Sequence, residues 1–249
     1  MFVLLLSTAW IFGPVQPAQV EVRAGAGYSQ VTASNGSSAS LDSSRTYAHL
    51  GFDVGLTSRI SASLSVPFEW AQHLDQGVVY YRRAEVSDIG LALHLNPTPR
   101  WHAGVTATIP GHDGDDALRQ RFPDRADQFP KIGRGESAIG AVFGYRRTYG
   151  SLLTATRAHL QTGLSSQALT TTLEALGALS IAKGWLTIGP TLQVEVATGD
   201  GGSERVRLGV FERIGDVSGW SLEVHAHGDA AADEVEQTAG ISATVVWRQ

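Results

Sequence analysis

Residues 50–66, LGFDVGLTSRISASLSV, decide the fold class, because apolar and polar side chains alternate on both sides of a very short turn. Every second residue is apolar in the segment that begins at Leu50, and the same pattern resumes at Ile60 after the Thr57-Ser58 turn. A period of two is typical of a β-strand with one apolar face. Two such segments joined by so short a connection predict an antiparallel hairpin.

The same period extends from Val20 to the C-terminal end, so helix is a minor element of the prediction. Besides residues 49–56 and 60–69, alternating segments lie at 20–29, 89–95, 101–109, 137–146, 152–161, 171–182, 186–198, 204–213, 219–228 and 236–247. We therefore predict about twelve strands of roughly 10 residues each, the length that a tilted strand needs to cross a bilayer.

Composition excludes several classes of protein. The chain has 249 residues, of which 43% are hydrophobic and 17% charged, so a disordered chain is excluded. No segment after the N-terminus approaches the roughly 20 continuous apolar residues of a membrane helix. A net charge of -5, with Lys131 and Lys183 as the only lysines, gives no basic patch, and we expect no nucleic-acid partner. The absence of cysteine excludes disulfides and thiolate metal sites.

The N-terminus has the pattern of a secretory signal. An apolar run from Phe2 to Phe12 is broken by Gly13 and Pro14, and it is about as long as a signal-peptide core. We predict that residues 1–18 are a signal peptide removed after Ala18, and that residues 19–249 form one barrel domain. A buried N-terminal strand is the alternative.

Connections and aromatic residues indicate which kind of β-protein this is. Long connections, predicted at 30–44, 71–86 and 110–135, alternate with short ones such as Thr57-Ser58, as in outer-membrane barrels. Aromatic residues with apolar-face parity fall near both strand ends: Trp101, Tyr145, Trp220 and Trp247 near the short turns, and Tyr28, Phe68 and Trp70 near the long loops. Trp185 has the opposite parity.

We therefore predict an all-β fold, a transmembrane antiparallel up-and-down β-barrel of about twelve strands. A soluble sandwich or lipocalin-like barrel remains the alternative, because alternation alone does not show which face lies inside.

If the apolar face meets lipid, charged residues of both signs line the lumen. The candidate channel-lining residues are Arg23, His49, Asp53, Glu69, Asp88, His94, His102, Arg146, Arg157, His159, Glu174, Glu195, Arg205, Arg207, Glu223, His225 and His227, with Glu21 on the same face. Two interpretations stay open. The residues pair with one another in a solvated interior, or they form a selectivity zone in which Arg146, Arg157, Arg205 and Arg207 attract anions.

No motif predicts a cofactor or catalysis. Glu223, His225 and His227 repeat about every 7 Å along one strand face, and ligands so spaced diverge, so we expect lumen lining rather than a metal site. The acidic stretch 111–116 lacks the ligand spacing and closing Glu of a calcium loop. No histidine is followed two residues later by serine, as in outer-membrane phospholipases. We expect no organic cofactor, no metal and no enzymatic activity.

One stretch carries a family resemblance. Ser87-Asp88-Ile89-Gly90-Leu91-Ala92-Leu93-His94-Leu95 is followed by the segment 101–109 and then by Pro110-Gly111 with acidic residues. This order resembles bacterial outer-membrane proteins named for the MetA-type phenol-degradation pathway, although Ser87 replaces a Gly and the Thr of their Pro-Thr-Gly is missing. The resemblance implies a transporter for small compounds, aromatic ones among them, and it assigns no site residue.

These observations predict a porin-like channel in a Gram-negative outer membrane that passes small molecules passively. Expected partners are outer-membrane lipids, a small-molecule solute and, during biogenesis, the outer-membrane assembly machinery. The alternatives are a closed-lumen barrel with structural or surface-binding roles and, third, a lipid-modifying enzyme.

Overall fold

The computed structural model describes residues 15–34, 40–75, 78–111, 135–198, 204–216, 218–232 and 237–249. These residues form thirteen strands and one 3-10 turn at Ala182–Gly184. The strands are β1 (Val20–Ser34), β2 (Ser40–Gly55), β3 (Ile60–Asp75), β4 (Val78–Val86), β5 (Ile89–Leu95), β6 (Trp101–Ile109), β7 (Ala138–Tyr149), β8 (Leu152–Gly163), β9 (Leu169–Ile181), β10 (Leu186–Ala197), β11 (Glu204–Gly215), β12 (Trp220–Ala232) and β13 (Gln237–Arg248).

The strands close into an antiparallel barrel with twelve wall positions. Apart from β4 and β5, each strand pairs with its neighbours in the chain, and β1 pairs with both β2 and β13 to complete the ring. Because β4 and β5 both pair with β3, they share one wall position. The predicted closed barrel of about twelve strands is confirmed.

The break between β4 and β5 lies opposite Pro67 of β3. The Ser87 amide donates to the Pro67 carbonyl at 3.0 Å, but proline has no N–H to return to its neighbour. The register of β3 shifts by one residue between its pairs with β5 and with β4, which leaves Ser87 and Asp88 outside both strands. Both residues are buried, so the extra residue is accommodated within the wall.

The apolar face of the wall points outward. In β2, for example, Phe52 is 38% exposed whereas the neighbouring Asp53 is 1% exposed. Exposed apolar side chains recur in the same way in the other strands, among them Leu93, Val105, Phe143, Leu173, Val210 and Ile241. The alternative of a soluble barrel with an apolar interior is therefore wrong. Among the described residues, no helix has the length and hydropathy needed to cross a membrane.

The connections at one end of the barrel, here called the short-turn end, are all two to five residues long. They join β2 to β3, β5 to β6, β7 to β8, β9 to β10 and β11 to β12. β1 begins and β13 ends at the same end, where the Val20 amide donates to the Gln249 carbonyl at 2.9 Å. The opposite end is called the long-loop end.

Two of the predicted long loops are mostly strand, so those predictions are wrong. β1 runs to Ser34 and β2 starts at Ser40 within the predicted loop 30–44, and β3 and β4 occupy most of 71–86. These hairpin ends continue the β-ladder beyond the alternating apolar segment. Because they carry polar residues, the alternation of apolar and polar residues does not indicate strands there. Of the predicted loop 110–135, residues 112–134 lie outside the described residues.

Most of the predicted signal peptide, residues 1–14, also lies outside the described residues. Val15 is buried, and Pro17 forms an isolated parallel bridge with Gly55 at the short-turn end. Cleavage after Ala18 stays a prediction.

Aromatic side chains cluster on the exterior near both ends. Trp101 packs on Tyr145 with ring centroids 4.7 Å apart, and Trp220 packs on Trp247 at 5.9 Å, both near the short turns. Phe68 and Trp70 stack edge to face at 4.7 Å toward the long loops. Trp185 lies in the turn between β9 and β10 and is 61% exposed, so the parity of a strand does not apply to it.

Candidate functional site

The candidate site is the barrel lumen, which the inner faces of the strands line. The predicted residues that lie on these inner faces are Arg23, His49, Asp53, Glu69, His94, His102, Arg146, Arg157, His159, Glu174, Glu195, Arg205, Arg207, Glu223, His225 and His227. Asp88 lies instead in the break between β4 and β5, where it is buried. Apart from Asp88, the predicted residues thus line one lumen, because the period of two places them on the face opposite the exposed apolar residues.

A chain of polar contacts runs across adjacent strands at the short-turn end. Arg248 of β13 donates to Glu21 of β1, with Nε and Oε2 3.0 Å apart. Glu21 also lies 3.4 Å from Nε of Arg23. Arg23 donates to Asp53 of β2, and the Ser63 hydroxyl of β3 donates to the same carboxylate. Three strand seams are therefore crossed by charge-assisted contacts.

Imidazoles extend this chain into the next strands. Nε2 of His94 lies 3.0 Å from the Ser63 hydroxyl, and the His94 and His102 rings are 4.7 Å apart. Nδ1 of His102 lies 3.2 Å from Oδ1 of Asn96 in the β5–β6 turn. The polar chain thus reaches from β13 to β6, about half of the wall.

Two further arginines reach the same mouth from other parts of the wall. Arg213 of β11 faces Glu223 of β12 at 3.7 Å. Nε of Arg146 in β7 donates to the Pro99 carbonyl at 2.7 Å. Arg146 and Arg213 both interact electrostatically with Arg248. We call Arg23, Arg146, Arg213 and Arg248, together with Glu21, Asp53 and Glu223, the mouth cluster.

At mid-height, an ion pair links two neighbouring strands, and two hydrogen bonds each span an intervening strand. Arg157 of β8 pairs with Glu174 of β9. Nε2 of His159 lies 3.0 Å from the Thr106 hydroxyl, and Nε2 of His225 lies 3.0 Å from the Thr191 hydroxyl. Each imidazole therefore has a hydroxyl partner on a nearby strand.

Toward the long-loop end, the Asp229 carboxylate pairs with two arginines. Oδ1 of Asp229 lies 2.8 Å from Nε of Arg207, and Oδ2 lies 3.5 Å from Nε of Arg205. The Thr238 amide donates to the same carboxylate at 2.7 Å. This arrangement places positive charge from β11 next to β12 and β13.

Several histidine and tyrosine side-chain rings in the lumen lie over a glycine of the neighbouring strand. A Cβ atom on Gly25 would lie 2.3 Å from the His49 ring, and one on Gly27 would lie 2.3 Å from Tyr47. His94, His159, His225 and His227 approach Gly104, Gly140, Gly209 and Gly240 in the same way. These glycines leave room for large rings to lie against the wall inside a narrow lumen.

Two acids outside the strands are held ionised by hydrogen bonds. Partial burial acts to raise the pKa of Glu136, but bonds from the side chains and amides of Ser166 and Ser165 outweigh it and hold the pKa at about 2. The Ser218 amide, followed by its hydroxyl, lowers the pKa of Asp216. Glu136 thereby ties the residues before β7 to the β8–β9 turn.

Sequence reasoning missed several inner-face residues: Arg45, Tyr47, Arg213, Asp229 and Arg248. Arg213 shares the parity of Arg205 and Arg207, so continuing the same strand would have found it. Phe211 and Val246 interrupt the polar inner face of β11 and β13, which obscured that parity near the turns.

Metal binding gains no support from the geometry. The His225 and His227 rings are 5.5 Å apart. Among the described residues, no group of three or more histidines and acids is placed to hold a metal ion.

Comparison with known proteins places the fold. No protein family and no curated protein matches the chain by sequence, so the MetA-type family remains a resemblance. Among solved structures, the chain is similar to the COG4313 outer membrane channel from Pseudomonas putida F1, with a TM-score of 0.69, 15% identity, and 94% of this chain and 96% of that one covered.

Two further structures are similar over comparable lengths. The β domain of the Bordetella autotransporter BrkA gives a TM-score of 0.63 at 14% identity, covering 92% of this chain and 98% of that one. LpxR from Salmonella typhimurium gives 0.54 at 8% identity, covering 92% and 99%. At these identities the likeness concerns the fold alone. The chain has the fold of outer-membrane β-barrel proteins.

Proposed function

We propose that the protein is a channel of the Gram-negative outer membrane through which small molecules pass passively. The observation that carries the proposal is a closed wall whose exterior is apolar and whose inner face bears charged and polar residues from the short-turn end to the long-loop end. An apolar band facing lipid and a polar lumen are the arrangement of outer-membrane channels. The similar channel from Pseudomonas putida agrees with it in fold.

The same proposal includes the molecules around the channel. Outer-membrane lipids contact the exterior, and the outer-membrane assembly machinery inserts the chain. Small anionic or aromatic compounds are the proposed solutes, since arginines lie at three heights of the lumen: Arg248 near the short turns, Arg157 at mid-height and Arg207 toward the long loops. Aromatic solutes are supported by the resemblance described above. No enzymatic activity or cofactor is proposed.

A second candidate function is a closed-lumen barrel with a structural or surface-binding role. The observation that favours it is the burial of inner-face charges, since Arg23 is 5% and Arg207 4% exposed and both are ion-paired. Side chains that pair across strands stabilise the wall whether or not the lumen conducts.

Conductance separates the two functions. The full chain would be expressed in a Gram-negative host, purified from the outer-membrane fraction in detergent and added to a planar lipid bilayer. Discrete current steps are the result expected of a channel. If heat-modifiable, β-rich protein inserts without producing steps, the closed-lumen barrel is the better account. Recovery in the inner-membrane or soluble fraction would contradict the proposed location.

A further inference from the structure

Arg146 and Arg248 face each other across the short-turn mouth. Along the wall, β7 and β13 are six positions apart in both directions, so their strands lie on opposite sides of the barrel. The two side chains nevertheless interact electrostatically. Arg146 and the Arg248–Glu21 pair thus stand on opposite sides of one mouth, and a solute that enters here passes between them.

Charge at this mouth is unevenly distributed. The mouth cluster contains four arginines and three carboxylates. The carboxylates lie on β1, β2 and β12, beside Arg248, Arg23 and Arg213, whereas Arg146 lies on the opposite wall. A solute that passes here therefore moves between Arg146 on one side and ion-paired arginines on the other.

The turns around the mouth add to its positive charge. Arg59 and Arg100 are exposed in the turns of the short-turn end, and Asp216 is the exposed acid in the described turns of that end. The inner face toward the long-loop end has the opposite balance, because the described side chains there include three arginines, Arg45, Arg205 and Arg207, and four acids, Glu69, Glu85, Glu195 and Asp229. Among the described side chains, the short-turn mouth thus carries a net positive charge and the inner face toward the long-loop end a net negative one.

We propose that the mouth cluster is the selectivity site of this channel and that it favours small carboxylate anions over cations. The inference rests on the proposed channel function and assigns its solute class and selecting site. A guanidinium group matches a carboxylate geometrically and remains charged throughout the accessible pH range. The carbonyl of Pro99 fixes Arg146 at the mouth. Because the described inner-face charges differ between the two ends, the current should also rectify.

The test measures the reversal potential of the purified full chain in a gradient of KCl and then of potassium benzoate. We expect the wild-type channel to prefer the anion in both salts. Arg146→Glu should reduce the anion-to-cation permeability ratio by about fivefold or invert it, because a charge near the path changes sign. Arg146→Lys should preserve the ratio.

The matched control is Arg147→Glu. Arg147 is the next residue of β7, lies on the exposed face and stacks over the Tyr149 ring at 4.4 Å. The same change of charge there should leave the permeability ratio close to that of the wild type.

A second variant covers the case in which Arg146→Glu does not fold. The chain contains no cysteine, so Arg146→Cys can be folded first and then labelled with a negatively or a positively charged methanethiosulfonate during recording. The negative label should lower anion preference and the positive label should restore it.

The outcomes separate the two proposals. Current steps whose ion preference is the same in wild type, Arg146→Glu and labelled Arg146→Cys would overturn the selectivity site and leave the channel standing. A wild-type channel that prefers cations would also overturn it. Folded wild-type protein that carries no current would overturn both.

Discussion

At the residue scale, Asp53 shows how the lumen contributes to stability. It is buried, accepts from Arg23 and Ser63, and thereby joins β1, β2 and β3. We predict that Asp53→Ala lowers the free energy of unfolding by about 3 kcal/mol, because the buried Arg23 loses the nearer of its two carboxylates. Urea unfolding in lipid vesicles, followed by tryptophan fluorescence, measures the change.

Asp216→Ala provides the control for this prediction. Asp216 is fully exposed in the β11–β12 turn, so its removal should leave the unfolding midpoint nearly unchanged. Equal effects of the two substitutions would show that the Arg23–Asp53 pair contributes nothing particular to stability.

Glu136 carries a local, pH-dependent prediction. Its pKa of about 2 lies below the ordinary value of 4.5, so its bonds to Ser165 and Ser166 stabilise the β8–β9 turn fully above pH 4.5 and are lost as the pH falls through 2. Glu136→Ala should speed hydrogen exchange of the Ser165 and Ser166 amides at neutral pH by about tenfold. The Ser218 amide, bound to Asp216, should not change.

The sequence shows which residues lie on the inner face, but it does not show which of them face one another across the lumen. Parity places Arg146 and Glu223 on the inner face from sequence alone, since it depends only on the period of the strand. That Arg146 interacts with Arg248 depends on the barrel radius and on which strands lie opposite, which no local pattern contains.

At the element scale, Pro190 marks a local weakness in the β9–β10 ladder. Backbone pairing is interrupted between the Ile188–Leu179 pair and the Thr191–Leu176 pair, and Pro190 lies in this interval. The β10–β11 ladder is continuous. Pro190→Val would supply the N–H that the β9–β10 ladder lacks, and its side chain would lie on the exposed face. We predict an increase in the free energy of unfolding of about 1 kcal/mol.

Pro97→Val tests whether a gain in stability comes from the restored ladder or from the removal of any proline. Pro97 lies in the β5–β6 turn and faces no gap in a ladder, so its loss should bring no gain in stability. The same urea titration applies to both variants. A stabilising effect of equal size in both would contradict the role of the ladder.

Strand boundaries were the least predictable elements. The sequence pattern found the membrane-crossing parts of β1 to β3, because lipid on one side and water on the other impose alternation there. Beyond the apolar band, solvent reaches both faces of a hairpin, so alternation of apolar and polar residues is not required there. The polar end of β3 and all of β4 lack it and were predicted as loop. The break at Ser87 also followed from tertiary pairing, since Pro67 lies on a different strand.

At the scale of the whole molecule, the two aromatic belts predict how the barrel lies in a membrane. Trp220 and Trp247 sit near the short-turn end and Trp70 toward the long-loop end. In single-tryptophan variants placed in brominated-lipid vesicles, Trp70 and Trp220 should both be quenched most by bromines near the lipid–water interface. Val105→Trp in the same background should be quenched best by bromines near the bilayer centre, because Val105 is an exposed residue of β6. Absence of quenching at all three sites would contradict the membrane placement.

The pairing of β1 with β13 gives the molecule a circular order of strands. The backbones of Val20 and Gln249 exchange two hydrogen bonds of 2.9 Å, so the seam that closes the barrel is a continuous antiparallel ladder like that of β10 and β11. A few residues could therefore link the two ends covalently while the chain is opened at the β11–β12 turn. We expect such a circular permutant to reach the same barrel, because the ring of neighbours is unchanged and only the order in which the strands are synthesised differs.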